Sequence, residues 1–215
     1  MNQHEKSTIS TIAIIEAGIN EFAAKGRLIS LNGICQNHGI SKGKLYHHFS
    51  SKDELLCACV CHALNKLTAD IDDYQIDDSI SIKDNFHNYY MQRIYHWKEN
   101  PNELIVLRLA YNLRQKIFSD ESLQKINEYQ LEWRKAKKVK ILQMLHSKNN
   151  TLRISDESIA EIMLLMYENT FQVLEDRVIS SLKTEDIQTT EKYTEELIDY
   201  HDTIINMILY GAFEQ

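Results

Sequence analysis

Proline and glycine are scarce in this chain: one proline and six glycines in 215 residues. Strand-rich folds spend both residue types on frequent turns, whereas helix interiors exclude them, so the shortage points to an all-α protein. Long apolar runs are missing too. No stretch of 18 or more apolar residues is present, and the opening MNQHEKSTIS lacks the basic-then-apolar layout of a secretory signal, so a cytoplasmic protein is expected. Cysteine is sparse, and three of the four, Cys57, Cys59 and Cys61, alternate along one predicted helix, with Cys35 apart from them. Such spacing does not make a disulfide framework, and reduced thiols are expected. Catalytic signatures are also missing: there is no nucleophile elbow, phosphate loop or His-Glu-x-x-His pair, and neither an enzyme nor a cofactor is expected.

The formal net charge is −7. Residues 1–50 hold five Lys/Arg against three Asp/Glu, a balance of +2 that leaves −9 on the rest. A mildly basic head on an acidic body suits a nucleic-acid reader whose body stays off the phosphates.

Apolar residues Ile9, Ile12, Ile15, Ile19 and Phe22 recur at helical spacing and predict a first helix ending at Gly26. Ser30 caps a short second helix with Leu31, Ile34 and Cys35 inward, closing at Gly39. Ser41 caps a third with Leu45 and Phe49 inward, and Ser51-Lys52-Asp53-Glu54 reads as a capping box opening a fourth helix to about Asp70. Three short helices with a tight Gly39-Ile40-Ser41 turn make a helix-turn-helix.

If Leu45 and Phe49 face inward, Gly43 and His47 face outward with Lys44 and Tyr46 beside them. Lys42 and Lys44 suit guanine edges or phosphate, and His47 and His48 suit bases or phosphate. Gly43 admits close approach, Tyr46 suits a phosphate, and Ser41 stands at the helix start. Lys52 and the first amides of the fourth helix could hold a second phosphate, and Asn32 could reach an adenine edge.

The run from Ile14 to Leu56 resembles the DNA-binding segment of the TetR family of bacterial transcriptional repressors. The matching positions are Phe22, Gly26, Ile34, Gly39, Ser41, Lys42, Gly43, Leu45, Tyr46, Phe49, Lys52 and Leu55. Cys35 stands where the family usually has alanine, and Lys44 where it often has a small hydroxyl residue, a change expected to alter which base is read. The resemblance implies a homodimer on double-stranded, palindromic operator DNA, and a helical body that binds a small effector and releases the DNA.

Domains are accordingly expected at 1–50 for the DNA-binding head, 51–70 for a linking helix and 71–215 for the regulatory and dimerisation body, with the polar segment Asp70–Asp78 as a linker. Asn100-Pro101 opens a helix through Phe118, and Ser119 caps another to about His146. Long helices from about Asp156 to Leu182 and from about Thr190 to Phe213 carry apolar stripes, Ile159 to Leu174 and Leu197 to Leu209, expected to pair across a dimer axis. Trp97, Tyr111, Trp133, Tyr167 and Phe171 are effector-pocket candidates with Met163 and Met166 as flexible lining, though all also suit an ordinary core.

Cys57 and Cys61 share one helical face, Cys59 lies about 200° away from Cys57, and His62 about 100° beyond Cys61. One face therefore offers only two ligands, so no metal site is expected. The three cysteines suit either packing or a thiol- or metal-responsive repressor. A DNA-binding protein with no ligand is the other alternative.

Overall fold

The computed structural model describes residues 3–146, 155–169, 176–178, 180–181 and 187–212, and among them no strand occurs. The helices are α1 (Gln3–Lys25), α2 (Leu31–Asn37), α3 (Lys42–His48), α4 (Lys52–Asp73), α5 (Ile82–Glu99), α6 (Pro101–Ile117), α7 (Asp120–His146), α8 (Asp156–Asn169) and α9 (Ile187–Ala212), with a 3-10 turn at Gly26–Leu28. Thr170, Phe171, Val173 and Leu174 lie outside the described residues, as does the side chain of Tyr167. No helix among the described residues is long and apolar enough to cross a membrane.

The chain forms two compact units, Met1–Leu67 with Asn102–Leu131, and Thr68–Pro101 with Glu132–Gln215. The division falls inside α4 and α7. A head of three helices, two of them only seven residues long, has little apolar surface to bury. Its core is completed from later in the chain: Val106, Ala110, Phe118 and Ile126 join Ile14, Phe22, Ile34, Leu45, Leu55 and Leu56.

On α1 the buried residues are Ile14, Ile15, Ala17, Ile19 and Phe22, whereas Ile9 and Ile12, which the periodicity placed inside, are 56 % and 39 % exposed. Gly18 explains how closely α1 and α4 pack. A Cβ there would lie 2.9 Å from Cys59 Sγ and 3.3 Å from Leu55. Any larger residue would force the Cys59 and Leu55 side chains to shift.

In the second unit α5 packs along α9, and the core includes Phe86, Tyr90, Ile94, Ile141, Met163, Leu197, Ile204 and Ile205. The expected linker is instead a pinned loop. α4 continues to Asp73, and Asn85, fully buried, accepts from Asp77 N at 2.9 Å and donates to Asp77 O at 2.8 Å. Tyr74 Oη donates to Asn85 O at 2.8 Å, and Lys140 Nζ donates to Tyr74 O at 2.7 Å. A cation near the final carbonyls of α4 also suits the negative end of the helix dipole. Polar residues here fix the chain rather than solvate it.

The two apolar stripes also serve differently from the expectation. Ile159, Met163, Leu197, His201, Ile204, Ile205 and Leu209 are buried within their own unit, while Ile162, Leu165 and Met207 are exposed at 44 %, 48 % and 71 %. Among the described residues the stripes are therefore largely intrachain core, and on α9 the apolar face covers α5.

His201 is the most consequential polar member of that core. It is 0 % exposed, stacks on Tyr90 with ring centroids 4.0 Å apart, and lies with Nδ1 3.0 Å from Asp202 Oδ1. Burial lowers its pKa from 6.5 to about 4 despite the Asp202 carboxylate, which pulls the other way. A base whose folded pKa lies below its unfolded value stabilises the fold fully above the unfolded pKa, and that stability is lost as the pH falls through the folded one. Chemical denaturation at pH 7 and pH 4 should therefore show an acid-induced loss on the order of 3 kcal/mol from this group. The variant His201→Phe, which keeps an aromatic ring against Tyr90, should lack that component; an equal acid loss in the variant contradicts the assignment.

Candidate nucleic-acid interface

Two serine caps set the helix-turn-helix geometry. Ser30, with φ −123° and ψ 147°, accepts from Gly33 N at 3.0 Å and starts α2. Ser41 accepts from Lys44 N at 3.3 Å and starts α3. Between them His38 N donates to Ile34 O and Ile40 N to Cys35 O, and Gly39 takes the left-handed φ of 63° that this helix ending requires. α3 ends where Phe49 N donates to Leu45 O at 2.9 Å with Phe49 extended. Leu45 is 0 % exposed and Phe49 5 %, so one side of α3 is committed to the core.

The opposite side is open. Lys42, Gly43, Lys44, Tyr46 and His47 are all exposed. Among the described residues the side chains of Lys42, Lys44 and Tyr46 make no hydrogen bond or ion pair, and His47 meets only the His48 ring edge-on at 5.1 Å. Nothing lies within 4 Å of where a Gly43 Cβ would stand. Glycine within a helix costs about 0.5–1 kcal/mol relative to alanine, and here neither packing nor backbone conformation asks for it. The surface so formed is a cluster of donors around a bare stretch of backbone, chemistry matched to phosphate oxygens and guanine edges. Asn32, the second residue of α2, is exposed as well.

His48 and Lys52 are placed differently from the reading residues. Thr11 Oγ1 donates its single hydrogen to Ser7 O at 3.0 Å, so the 3.1 Å contact with His48 Nδ1 requires the histidine to donate. His48 thereby ties the end of α3 to α1. Lys52 Nζ donates to Arg27 O at 2.7 Å and lies 3.5 Å from Ile29 O, clasping the 3-10 turn to the start of α4 beside the Arg27–Asp53 ion pair at 2.9 Å.

The capping box at α4 is shifted by one residue. Ser51 Oγ accepts from Glu54 N at 3.1 Å as expected, but Glu54 Oε2 accepts from Ser50 N and Ser50 Oγ, each at 2.7 Å. The Ser50 hydroxyl and amide hold the Glu54 carboxyl below its usual pKa. A carboxylate thus already occupies the N-terminal region of α4 that was expected to attract phosphate.

Residues that the motif did not single out complete the frame. Glu21, 8 % exposed, accepts from Lys25 Nζ at 2.7 Å and Asn37 Nδ2 at 2.8 Å, with His38 Nε2 at 3.4 Å, and so locks α1 to the end of α2. Lys25, then Asn37, lower its pKa. The Glu21–Lys25 spacing of four was the only signal of this in the sequence.

Of the effector-pocket candidates, two share a neighbour, Arg93. Trp97 is 6 % exposed with the Arg93 guanidinium 4.3 Å from its ring, and Trp133 lies 5.7 Å from Arg93 and 4.6 Å from Lys137 Nζ. Tyr111 is 55 % exposed and belongs to the first unit, and Phe171 and the Tyr167 side chain are outside the described residues.

Residues 14–59 match the model of the bacterial regulatory proteins, tetR family. No curated protein sequence matches the chain. Among solved structures, a chain from Mesorhizobium loti assigned to the TetR-family transcriptional regulators aligns with TM-score 0.70 at 16 % identity, covering 100 % of both chains. Salmonella enterica GusR aligns with TM-score 0.65 at 16 % identity over 94 % of this chain and 95 % of its own. A transcriptional regulator of Rhodococcus sp. Rha1 gives 0.65 at 18 % identity over 94 % and 97 %. At these identities the likeness is one of fold.

The frame and the open face should respond oppositely to substitution. Gly43→Ala should raise the unfolding free energy by roughly 0.5 kcal/mol, since the new methyl meets nothing. Lys52→Met, which removes the donor to two carbonyls, should lower it by about 0.5–1.5 kcal/mol. Equal, neutral effects at both positions would contradict this division of roles.

Proposed function

We propose that this chain, whose residues 14–59 match the model of the bacterial regulatory proteins, tetR family, is a repressor that grips palindromic operator DNA as a homodimer and releases it on binding a small ligand. The observation that carries the DNA-binding part is α3 itself. One side is anchored by Leu45, and the other presents Lys42, Lys44, Tyr46 and His47 around a glycine that the fold does not need.

In this reading Lys44 and His47 face base edges, and Lys42, Tyr46 and the Ser41 hydroxyl hold phosphates. Asn32 reaches an adenine edge from α2. His48 and Lys52 act mainly by holding α3 and the 3-10 turn in place, each keeping spare hydrogen-bonding capacity for a phosphate. α3 is short enough to lie in a major groove while α2 braces it.

Two-fold pairing is supported by exposed apolar side chains on α8 and α9, chiefly Ile162, Leu165 and Met207. These exposed positions are the ones at which a charge can test pairing, since at Ile204, 5 % exposed, a charge would break the fold itself. The ligand site is assigned to the aromatic group Trp97 and Trp133 with Arg93. α4 contributes residues to both compact units, so a ligand held in one can act on the other through a continuous helix. A tenfold loss of DNA affinity needs the ligand to favour the non-binding state by about 1.4 kcal/mol, and operator DNA must then weaken ligand binding by the same factor.

Selection of bound sequences from a random DNA pool tests the reading. Enrichment of inverted repeats is expected, with half-sites centred about one helical turn or somewhat more apart, roughly 35 Å. Lys44→Ala should change the preferred bases, and Leu165→Glu with Met207→Glu should give a folded monomer with weakened binding. No enrichment, or enrichment of single asymmetric sites by a monomer, overturns it.

A further inference from the structure

Cys57 and Cys61 stand one turn apart on one face of α4, each 4 % exposed. Cys57 Sγ lies 3.7 Å from Ser122 O on α7, and exposed Glu54 and Lys125 act on it electrostatically. The pair therefore lies just beneath the surface of its unit. Cys59 takes no part in the pair: its Sγ is 3.5 Å from Ile15 O on the side facing α1, and burial pushes that thiol up.

Helical geometry limits what the pair can do. Residues four apart on a helix hold their Cβ atoms roughly 5–6 Å apart, whereas a disulfide needs about 3.5–4.5 Å, so closing one would break the helix. A structural zinc ion needs four ligands. Among the described residues no group of three His, Cys, Asp or Glu side chains is gathered to hold a metal ion. One soft atom that bonds both sulfurs at once spans the gap that a direct S–S bond cannot.

We propose that Cys57 and Cys61 form a dithiol site for a soft trivalent metalloid, of the organoarsenical class. In the hydrated arsenical RAs(OH)₂ two As–O bonds break and two As–S bonds form. Each thiol proton leaves with one hydroxyl as water, so two waters are released and nothing is oxidised or reduced. Soft thiolate ligands favour such centres. The neighbouring Cys61 thiol, followed by Ser122 and Lys125, brings Cys57 down to about 7 against the opposing effect of burial, while Cys61 is pushed up. Cys57 supplies the attacking thiolate near neutral pH, and Cys61 closes the ring.

The test titrates the full chain with phenylarsine oxide and reads intact mass. One adduct per chain is expected, stable to a monothiol and removed by a dithiol. Cys57→Ser or Cys61→Ser should weaken it by roughly a hundredfold, the loss of a second linked bond, while Cys59→Ser and Cys35→Ser should retain it. Persistence at full affinity in Cys61→Ser, or removal from the wild type by a monothiol, overturns the proposal. Peptide mapping of the wild-type adduct needs no variant to fold: arsenic bridging Cys57 and Cys61 supports the site, and arsenic on any other thiol or pair overturns it. No DNA enters these measurements, so their outcome is independent of the function proposed above.

Discussion

A seven-residue helix has no stability of its own, since nucleation is costly and isolated helices of that length are marginal in water. α3 persists because Leu45, with no exposed surface, and Phe49 are held in a core to which α1, α4, α6 and α7 all contribute. That anchoring decides which side chains remain outside. With Leu45 inward, helical geometry leaves Lys42, Gly43, Lys44, Tyr46 and His47 on the surface, and the Ser41 cap and the Phe49 turn fix where the helix begins and ends. The donor face is thus a by-product of packing on the opposite side, and much of the surrounding polar framework serves to keep that packing in register. Glu21 locks α1 to α2, His48 locks α3 to α1, and Lys52 locks the 3-10 turn to α4.

The local grammar of the chain was readable from its residues. Ser30, Ser41, Ser51 and Ser119 each accept from an amide three residues on, as their positions ahead of apolar periodic segments implied. Gly39 takes positive φ where the second helix was expected to close. These features depend on neighbours within a few residues, which a sequence displays directly.

Long-range features were not readable in the same way. Whether an apolar stripe faces its own chain or a second copy depends on what else needs covering, and α9 turned out to cover α5. Polar residues were equally ambiguous. Asn85 is fully buried and pins the loop before it, and Lys140 satisfies a carbonyl 66 residues away. Lys52 looked like a phosphate donor, yet its ammonium is engaged by two backbone carbonyls. Nothing in a pattern of polar residues tells which partner each will find.

The central claim is that the outward face of α3 is a nucleic-acid surface created by inward anchoring. Its most direct measurement is the affinity for a selected DNA duplex as a function of salt, for the wild type and for Lys42→Ala. A side chain bound to phosphate releases counterions, so the wild type should lose affinity steeply with salt, and removing Lys42 should make the log–log slope shallower by about 0.9 while leaving the preferred sequence unchanged. An unchanged slope in the Lys42 variant, or an affinity indifferent to salt, would contradict the account.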